Sequence, residues 1–324
     1  MKKVLMISLV LFMGIALVAC GDKNSDVIEI GIIQYAEHPA LDQSTEGFIA
    51  ALKDEGFVDG QKIRIEFKNS QADQANSETI ADKFVNDKKD LIYAIATPAA
   101  QAVAQKTQDI PIVISAVTNP ENSGLVDSNA HPGGNVTGVS DLTPVKEQVA
   151  LLVELLPNVK KVAVMYTNSE DNSRYQADLA KAALDAVGIQ WVEATVSDIS
   201  QIQQVAESLV GKVDAIYIPT DNLMAEGIST ITMVATNQGI PCIVGEVGMV
   251  EGGGLATVGI DYYNIGYLAG LQAAKILRGE SVPADMPIEY LGEEEREIVI
   301  NKAVADELGI TIPDSLVQKA TIRE

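Results

Sequence analysis

LIYAIATPAAQAVAQK, residues 91–106, joins a buried strand to a helix with almost no loop between them. Its first six residues are apolar, which is typical of a strand that is covered on both faces. Thr97 suits the N-cap of a helix, and Pro98 suits the first turn, where the missing proline N–H leaves nothing unpaired. The stretch therefore predicts a strand over residues 91–96 and a helix over residues 98–106.

The same pairing of a strand with a helix recurs along most of the chain. Apolar β-branched runs predict further strands at residues 27–33, 62–67, 112–115, 162–166, 190–194, 215–218, 242–244 and 255–259. Amphipathic stretches predict further helices at residues 41–55, 76–87, 145–156, 172–187, 199–210, 225–237 and 264–277. This alternation predicts an α/β fold with parallel sheets that are covered by helices on both faces.

The order of strands and helices is repeated, first over residues 27–115 and again over residues 162–244. Each half has the size of one doubly wound domain. Three stretches rich in glycine, proline or both suit crossings between the halves: HPGGNVTGVSDLTP (131–144), EGGGLATVGIDYYNIG (251–266) and GESVPADMPIEY (279–290). We predict two doubly wound parallel-sheet lobes joined by a three-segment hinge. Residues 27–141 plus 262–283 form the N-terminal lobe, and residues 142–261 plus 284–324 form the C-terminal lobe.

The N-terminus has the pattern of a secretory signal. Lys2 and Lys3 precede a short apolar run over residues 4–17, which is too short to span a membrane comfortably. Ala19 directly before Cys20 resembles the lipobox of bacterial lipoproteins, in which that cysteine is lipidated and becomes the mature N-terminus. We predict a signal peptide over residues 1–19 and a lipid-anchored tether over residues 20–26. The alternative is an ordinary signal peptide with an incidental cysteine.

The composition argues against several classes of protein. A formal net charge of −22 disfavours nucleic-acid binding and a basic membrane-binding patch. Cys242 is the only cysteine after Cys20, so no intramolecular disulfide is expected in the mature chain. With only His38 and His131 as histidines and no HExxH or CxxC motif, the sequence predicts no metal site.

Signatures of catalysis are equally sparse. The chain has no GxSxG elbow, no phosphate-binding loop and no dinucleotide fingerprint. His38 has no catalytic partner in the sequence. A pair of acids such as Asp221 and Glu246 could serve a hydrolase, which is the alternative reading. We predict that the protein is not an enzyme and uses no cofactor.

Candidate ligand contacts lie in the loops after the predicted strands, because an open parallel sheet binds ligands beyond its carboxyl edge. The helix N-terminus at Thr97, Pro98 and Ala99 can hold a carboxylate, or it can be a plain helix start. Asp221 and Asn222 can bind an ammonium or hydroxyl group, although Asp221 can also cap the following helix. Nine further candidates lie in the other loops and in the predicted crossings: Glu37, His38, Pro39, Val117, Thr118, Asp141, Asn168, Glu246 and Asp261.

Six motifs in this order resemble the substrate-binding lipoproteins of ABC importers, in particular the tryptophan/tyrosine-type branch. They are EHPALD (37–42), TPAAQA (97–102), AVTNP (116–120), GGNVTGVSD (133–141), PTDN (219–222) and GGGLATVGIDYYNIG (252–266). The resemblance implies a type I periplasmic-binding-protein fold. It also implies capture of a small ligand between two lobes that close about the hinge, without enzymatic activity.

The resemblance further implies an amino-acid ligand, with an aromatic amino acid as the first expectation. By the matching motifs, Thr97 and Ala99 would hold the ligand carboxylate. Asp221 and Asn222 would hold the amine, and residues 37–39 would line the aromatic side. Aromatic residues make up only 5% of this chain, so aliphatic amino acids stay open as ligands.

The implied partners are an ABC permease and its ATPase. The resemblance places the protein on the extracytoplasmic face of the cell membrane, held there as a monomer by its lipid anchor. The alternative is a lipid-anchored sensor that binds the same ligand and reports it to a membrane receptor.

Overall fold

The structure is a computed structural model that describes residues 27–324. The predicted signal peptide, the predicted tether and Cys20 lie outside the described residues. The strands are β1 Ile28–Gln34, β2 Ile63–Asn69, β3 Leu91–Ile95, β4 Ile112–Ser115, β5 Val136–Gly138, β6 Lys161–Thr167, β7 Gln190–Val196, β8 Ala215–Ile218, β9 Cys242–Val244, β10 Ala256–Gly259, β11 Glu297–Asn301 and β12 Ala320–Arg323.

The α-helices lie mostly between successive strands. They are α1 Pro39–Asp54, α2 Gln74–Asn86, α3 Thr97–Ala104, α4 Val145–Leu155, α5 Asp171–Ala186, α6 Ile202–Ser208, α7 Asn222–Glu226, α8 Ile228–Asn237, α9 Val247–Glu251, α10 Tyr262–Leu277, α11 Lys302–Glu307 and α12 Asp314–Val317. In residues 27–324 no helix combines the length and the apolar character that crossing a membrane requires.

The first sheet has five parallel strands in the order β2-β1-β3-β4-β5. In its register, Ile30 on β1 lies opposite Ile65 on β2 and Leu91 on β3. The strands β3 and β4 are buried along their whole length, as expected where helices cover both faces of a sheet. This sheet and the helices packed on it are the first lobe.

The second sheet has seven strands in the order β12-β11-β10-β9-β8-β6-β7, and with its helices it forms the second lobe. The strands β6 to β10 are parallel, whereas β11 pairs antiparallel with β10. The sequence patterns do not predict β11 or β12, because the apolar run of β11 is only three residues long, 298–300, and directly follows the charged residues 293–297. The two sheets confirm the predicted fold class, with an antiparallel addition at one edge.

Helix α10 comes late in the chain but packs on the first sheet. Its residues Ile265 and Ala269 lie in the same buried core as Ile32 of β1. Glycine allows its backbone to approach α1 closely, because a Cβ at Gly266 would lie 1.9 Å from the carbonyl oxygen of Ser44. The first lobe is therefore built from two separate pieces of the chain.

The segment after α10 also stays against the first sheet. Ile288 is buried in the first core, and the Glu289 N–H donates to the carbonyl oxygen of Gly138 at 2.9 Å. Leu291 still packs against the first core, so the chain enters the second lobe after residue 291. This crossing is later than the boundary predicted after residue 283, because burial of the Ile288 side chain keeps the segment on the first lobe.

Most helices start one to three residues away from the predicted positions, and two of the differences bear on the site. The N-cap of α3 is Ala96, with φ +80°, and Thr97 is already in the first helical turn. The helix predicted over residues 225–237 is divided at Gly227 into α7 and α8. The division follows from Asp221, which accepts a hydrogen bond from the Met224 N–H and so begins a separate short helix.

Candidate functional site

The carboxyl edges of the two sheets face each other across a small enclosed space, the interlobe cavity. Its volume of about 10 Å³ is close to what one water molecule needs, so the lobes are closed on each other. A ligand of amino-acid size therefore requires the lobes to separate, both to enter and to fit between them. Both lobes contribute to the lining: His38, Leu41, Ala116, Thr118, Asp141, Asn172, Thr220, Asp221, Asn222, Ala225, Glu246 and Tyr262.

The structure brings together part of the predicted ligand site. Six of the fourteen predicted residues line the interlobe cavity: His38, Thr118, Asp141, Asp221, Asn222 and Glu246. Pro39 and Asp261 line an adjacent open groove of about 440 Å³ instead. Glu37 and Asn168 are exposed, and Val117 is buried in the first core. The ligand role of each predicted residue stays a prediction.

His38 precedes α1 on the first-lobe side of the cavity. Its side chain is 7% exposed, and neither ring nitrogen has a partner in full hydrogen-bond geometry in residues 27–324, although the Asn222 side chain lies close to the ring. Burial, opposed by the side chains of Asn222 and Asp42, lowers its pKa to about 4, so the ring is neutral at pH 7. A neutral imidazole offers a ligand one donor and one acceptor.

Asp221 follows β8 and is held by three donors of the second lobe. Its Oδ1 accepts from the Met224 N–H at 2.9 Å and from the Thr167 hydroxyl at 2.8 Å, and its Oδ2 accepts from the Thr167 N–H at 2.6 Å. Burial raises the pKa of Asp221 above its ordinary value. Asp221 is thus a helix cap that also borders the cavity, so the two roles considered from the sequence are compatible.

Glu170 is a buried acid that the sequence patterns do not single out. It directly precedes α5, and its Oε2 accepts from the side-chain nitrogens of Asn222 at 2.6 Å and Asn172 at 3.2 Å. Burial, together with the neighbouring Asp221, raises its pKa to about 8. The sequence predicts a site residue in this loop at Asn168. Which residue of the loop faces inward depends on the path of the backbone, and no local sequence pattern specifies that path.

Asp141 links the first crossing to the start of α10. Its Oδ1 accepts from the Thr118 hydroxyl at 3.1 Å, and its Oδ2 accepts from the Tyr262 hydroxyl at 2.9 Å. Burial raises the pKa of Asp141 to about 6. This carboxylate therefore ties together two hinge segments and the loop after β4 at one end of the cavity.

Glu246 borders the cavity from the loop after β9. It caps α9, because its two oxygens accept from the N–H groups of Gly248 at 2.6 Å and Met249 at 2.9 Å. Burial raises its pKa to about 7, and the carboxylates of Glu251 and Asp141 add to the effect. Like Asp221, it combines a capping role with a place at the cavity.

Acidic side chains dominate the lining of the cavity and its immediate support. Asp141, Glu170, Asp221 and Glu246 are each at most 4% exposed, and none of the described lining residues is a lysine or arginine. Buried carboxylates without a cation are unfavourable, and a ligand with an ammonium group would offset that cost. Within residues 27–324, no group of His, Cys, Asp or Glu side chains is arranged to hold a metal ion.

The N-terminus of α3 lies beside the loop that contributes Ala116 to the cavity. Ala96 and Ala116 end the neighbouring strands β3 and β4, both with positive φ, +80° and +52°. Pro98 and Ala99 are buried, and the buried Thr97 hydroxyl has no hydrogen-bond partner in the described part of the chain. A free hydroxyl beside unpaired first-turn N–H groups suits an anionic group.

Two side-chain hydrogen bonds join the lobes around the cavity. Gln101 on α3 donates from Nε2 to Oδ2 of Asp171 at 2.7 Å, and Gln176 on α5 donates from Nε2 to the Thr118 hydroxyl at 3.3 Å. In each pair, one residue belongs to the first lobe and the other to α5 of the second lobe. These bonds exist only while the lobes are closed.

The lining contains six residues that the sequence reasoning missed: Leu41, Ala116, Asn172, Thr220, Ala225 and Tyr262. Four of them, Leu41, Ala116, Thr220 and Tyr262, lie within the motifs that carry the family resemblance. Membership in a motif was therefore the signal that could have identified them. Asn172 and Ala225 lie outside the motifs, and only the fold places them here.

Known proteins match nearly the whole chain. Residues 29–323 match the family described as ABC transporter substrate binding protein. A tyrosine-binding protein of Clostridioides difficile (strain R20291) is 46% identical over 273 residues, which cover 84% of this chain and 78% of that protein. The structure of an ABC domain from Streptococcus pneumonia in complex with L-Trp superposes with a TM-score of 0.88 at 38% identity, covering 91% of this chain and 99% of that chain.

A second solved structure is similar to this chain in sequence but differs from it in conformation. The ligand-free, open structure of a substrate-binding protein with adhesive properties from Clostridium difficile is 43% identical and covers 92% of this chain and 99% of that chain, but its TM-score is only 0.70. The closed arrangement is thus nearer to the L-Trp complex than to the open form. The chain has the type I periplasmic-binding-protein fold and belongs to the extracytoplasmic substrate-binding proteins of ABC transporters.

Proposed function

We propose that this protein captures one aromatic α-amino acid between its lobes and delivers it to an ABC importer. A cavity that is lined by three buried carboxyl groups, has a fourth directly behind its lining, and has no lysine or arginine among its described lining residues carries this proposal. Such a lining favours a ligand with an ammonium group. The tyrosine-binding relative and the L-Trp-bound neighbour support an aromatic amino acid as that ligand.

The charges suggest how the ligand would lie between the two lobes. The ammonium group would lie at the acidic second-lobe wall, near Asp221 and Asn222. The ligand carboxylate would lie at the N-terminus of α3, where the Thr97 hydroxyl and the first-turn N–H groups can donate to it. The two ends of the amino acid thus bind to different lobes, so binding favours the closed state.

The apolar and aromatic part of the lining would hold the ligand side chain. Leu41, Ala225 and the rings of His38 and Tyr262 contribute to it. Offset or edge-to-face contacts with such rings favour an aromatic ligand over an aliphatic one. This preference is the part of the proposal that separates the aromatic from the aliphatic alternative.

Lipidation and partners complete the proposal. Thioether-linked lipid on Cys20 would hold the protein at the extracytoplasmic face of the cell membrane as a monomer. The closed form would then dock on a membrane permease, whose ATPase drives import. Ligand binding would be stoichiometric and without turnover.

Calorimetric titration of the purified protein with the twenty amino acids tests the ligand assignment. We expect one site per chain that prefers L-tyrosine, L-tryptophan or L-phenylalanine. Tyramine lacks the carboxylate and 3-(4-hydroxyphenyl)propanoate lacks the amine, so both are expected to bind more weakly than L-tyrosine. Tighter binding of leucine than of every aromatic member would refute the assignment.

A labelling experiment tests the anchor separately. In cells of a lipoprotein-producing bacterium, the chain should incorporate a radiolabelled fatty acid and remain with the membrane fraction. The Cys20→Ala variant should lose both properties. Membrane retention of that variant without label would contradict the proposed anchor and leave the ligand assignment untouched.

A further inference from the structure

Glu170 lies directly behind two residues of the cavity lining. It does not line the cavity itself, but its Oε2 accepts hydrogen bonds from the side-chain nitrogens of both Asn172 and Asn222. These two asparagines come from different elements, α5 and α7, and meet only at this carboxylate. The position of Glu170 thus controls two lining side chains at once.

The acceptor Oε2 of Glu170 sets which way the two amides face, because both turn their nitrogens toward it and so turn their oxygens away from it. Ionisation of Glu170 when the ligand binds removes its one possible donor and fixes both amides in this orientation. The result is visible at Asn172, whose Oδ1 is buried and has no hydrogen-bond partner in residues 27–324. A buried acceptor without a donor is unfavourable unless a ligand supplies the donor.

We propose that Glu170 is a positioning residue that turns the side-chain oxygens of Asn172 and Asn222 toward the ammonium group of the ligand. This inference rests on the proposed function and names the amine-binding part of the same site. With the carboxylate of Asp221, the two amide oxygens form a surface that only accepts hydrogen bonds. An ammonium group, which only donates, is the complement of that surface.

The ionisable groups that face Glu170 determine whether its carboxyl group is protonated. Asp221 precedes α7, and Tyr35 follows β1 on the first lobe; His38 lines the same cavity. Burial keeps His38 and Tyr35 neutral at pH 7, because it lowers the pKa of the former to about 4 and raises that of the latter. With no cation nearby, the pKa of Glu170 is about 8, so the acid is largely protonated before the ligand binds. Binding of an ammonium ligand then releases that proton to solvent.

Calorimetry in two buffers of different ionisation enthalpy measures the released proton. At pH 7, wild-type protein should release about one more proton per bound L-tyrosine than the Glu170→Gln variant, because the neutral amide cannot ionise. Glutamine can also donate, so it no longer fixes the two asparagines. We expect Glu170→Gln to weaken L-tyrosine binding roughly 10- to 100-fold and to weaken 3-(4-hydroxyphenyl)propanoate binding by less than about twofold.

The variants separate positioning from a general structural role. Glu170→Asp keeps an ionisable carboxyl group and should restore part of the proton release. Glu193→Gln, which alters an exposed acid of β7 that is paired with Lys181 and does not line the cavity, should bind both ligands like the wild type. Equal weakening of both ligands by Glu170→Gln, or unchanged proton release, would overturn the inference. Failure of the wild type to bind any aromatic amino acid would instead refute the proposed function.

Discussion

Gln101 on α3 and Asp171 on α5 join the two lobes through a hydrogen bond from Nε2 to Oδ2 of 2.7 Å. The acceptor is a carboxylate, so the bond belongs to the stronger, charge-assisted class. Because the bond is lost when the lobes separate, it contributes to the closed state and not to the stability of either lobe alone. Ligand affinity depends on that closed state.

The Gln101→Ala variant should therefore bind its ligand more weakly while unfolding at an unchanged temperature. We expect the dissociation constant to rise roughly 3- to 30-fold, which corresponds to about 0.7 to 2 kcal/mol. Titration calorimetry measures the affinity, and small-angle scattering measures the fraction of closed protein. The matched control is Gln203→Ala, which removes a glutamine paired with Glu207 within the second lobe. A drop in melting temperature with no change in affinity would contradict this role.

Two substitutions of Asp221 separate its role as a helix cap from its role in ligand binding. Asparagine is a good N-cap, so Asp221→Asn should keep most of the stability of α7, whereas Asp221→Ala should cost about 1 kcal/mol or more. Both variants remove the negative charge at the amine site and should weaken binding at least about tenfold. Thermal unfolding and ligand titration of the pair measure the two effects independently. Undiminished affinity of Asp221→Asn would remove Asp221 from the ligand site.

The unpaired ring of His38 suggests that this residue lowers the stability of the ligand-free protein but contributes to ligand binding. Replacing it by leucine removes a buried polar group with no partner, so the ligand-free His38→Leu protein should be as stable as the wild type or up to about 2 kcal/mol more stable. Its affinity for the ligand should fall. Denaturant unfolding measures the stability of the variant, and ligand titration measures its affinity. His131→Leu, at the exposed second histidine, should change neither, and a large loss of stability in His38→Leu would show that the ring supports the fold.

The buried acids predict how stability depends on pH in the ligand-free protein. The pKa values of Glu170 and Glu246 are about 8 and about 7 in the folded state, above the ordinary value of 4.5. The folded state then holds protons that the unfolded state has lost, so the free energy of unfolding decreases as pH rises. His38 has the opposite effect, but mainly below pH 6.5, where its unfolded form gains a proton. The acids therefore dominate from pH 6.5 to pH 8.

Over that range each extra bound proton lowers the free energy of unfolding by about 1.4 kcal/mol per pH unit. We expect the melting temperature to fall by roughly 5 °C. Differential scanning fluorimetry without ligand measures it, and Glu246→Gln should reduce the slope because it removes one of the titrating groups. A melting temperature that rises from pH 6.5 to pH 8 would show that these acids are ionised in the folded protein.

Because α1 and α10 are in close contact, one methyl group added between them is expected to lower the stability of the protein strongly. Gly266→Ala places a Cβ against the Ser44 carbonyl, where neither backbone can move without separating the helices. We expect a loss of about 2 to 4 kcal/mol, measured by denaturant unfolding. Gly134→Ala, where the added carbon meets nothing within 4 Å, is the control. Equal stability of the two variants would mean that the helices can shift apart at little cost.

The sequence predicts the parallel sheets and the position of the site, because both follow from local patterns. Runs of apolar residues mark strands, and residues directly after parallel strands must lie at one edge, which is why Asp221 and His38 meet in one cavity. The sequence does not reveal β11, whose apolar run is only three residues long. Nor does it reveal Glu170, because the direction of a loop side chain depends on tertiary packing.

The placement of α3 shows a similar limit at the level of one residue. Thr97 has the composition of an N-cap, yet Ala96 takes that position with a positive φ, and the Thr97 hydroxyl is left without a partner among the described residues. Capping preference is a local tendency, and the close packing of β3 against β4 overrides it here. The resulting unpaired hydroxyl is more informative about binding than a satisfied cap would have been.

The late arrival of α10 also sets the timing of folding during synthesis. The first lobe needs Ile265 and Ala269 to complete its core, and these residues follow the whole stretch 142–261 of the second lobe along the chain. As the polypeptide is made from its N-terminus, the apolar surface of α1 that contacts α10 is uncovered until residues near 277 have been added. The N-terminal half is therefore exposed to aggregation until that point.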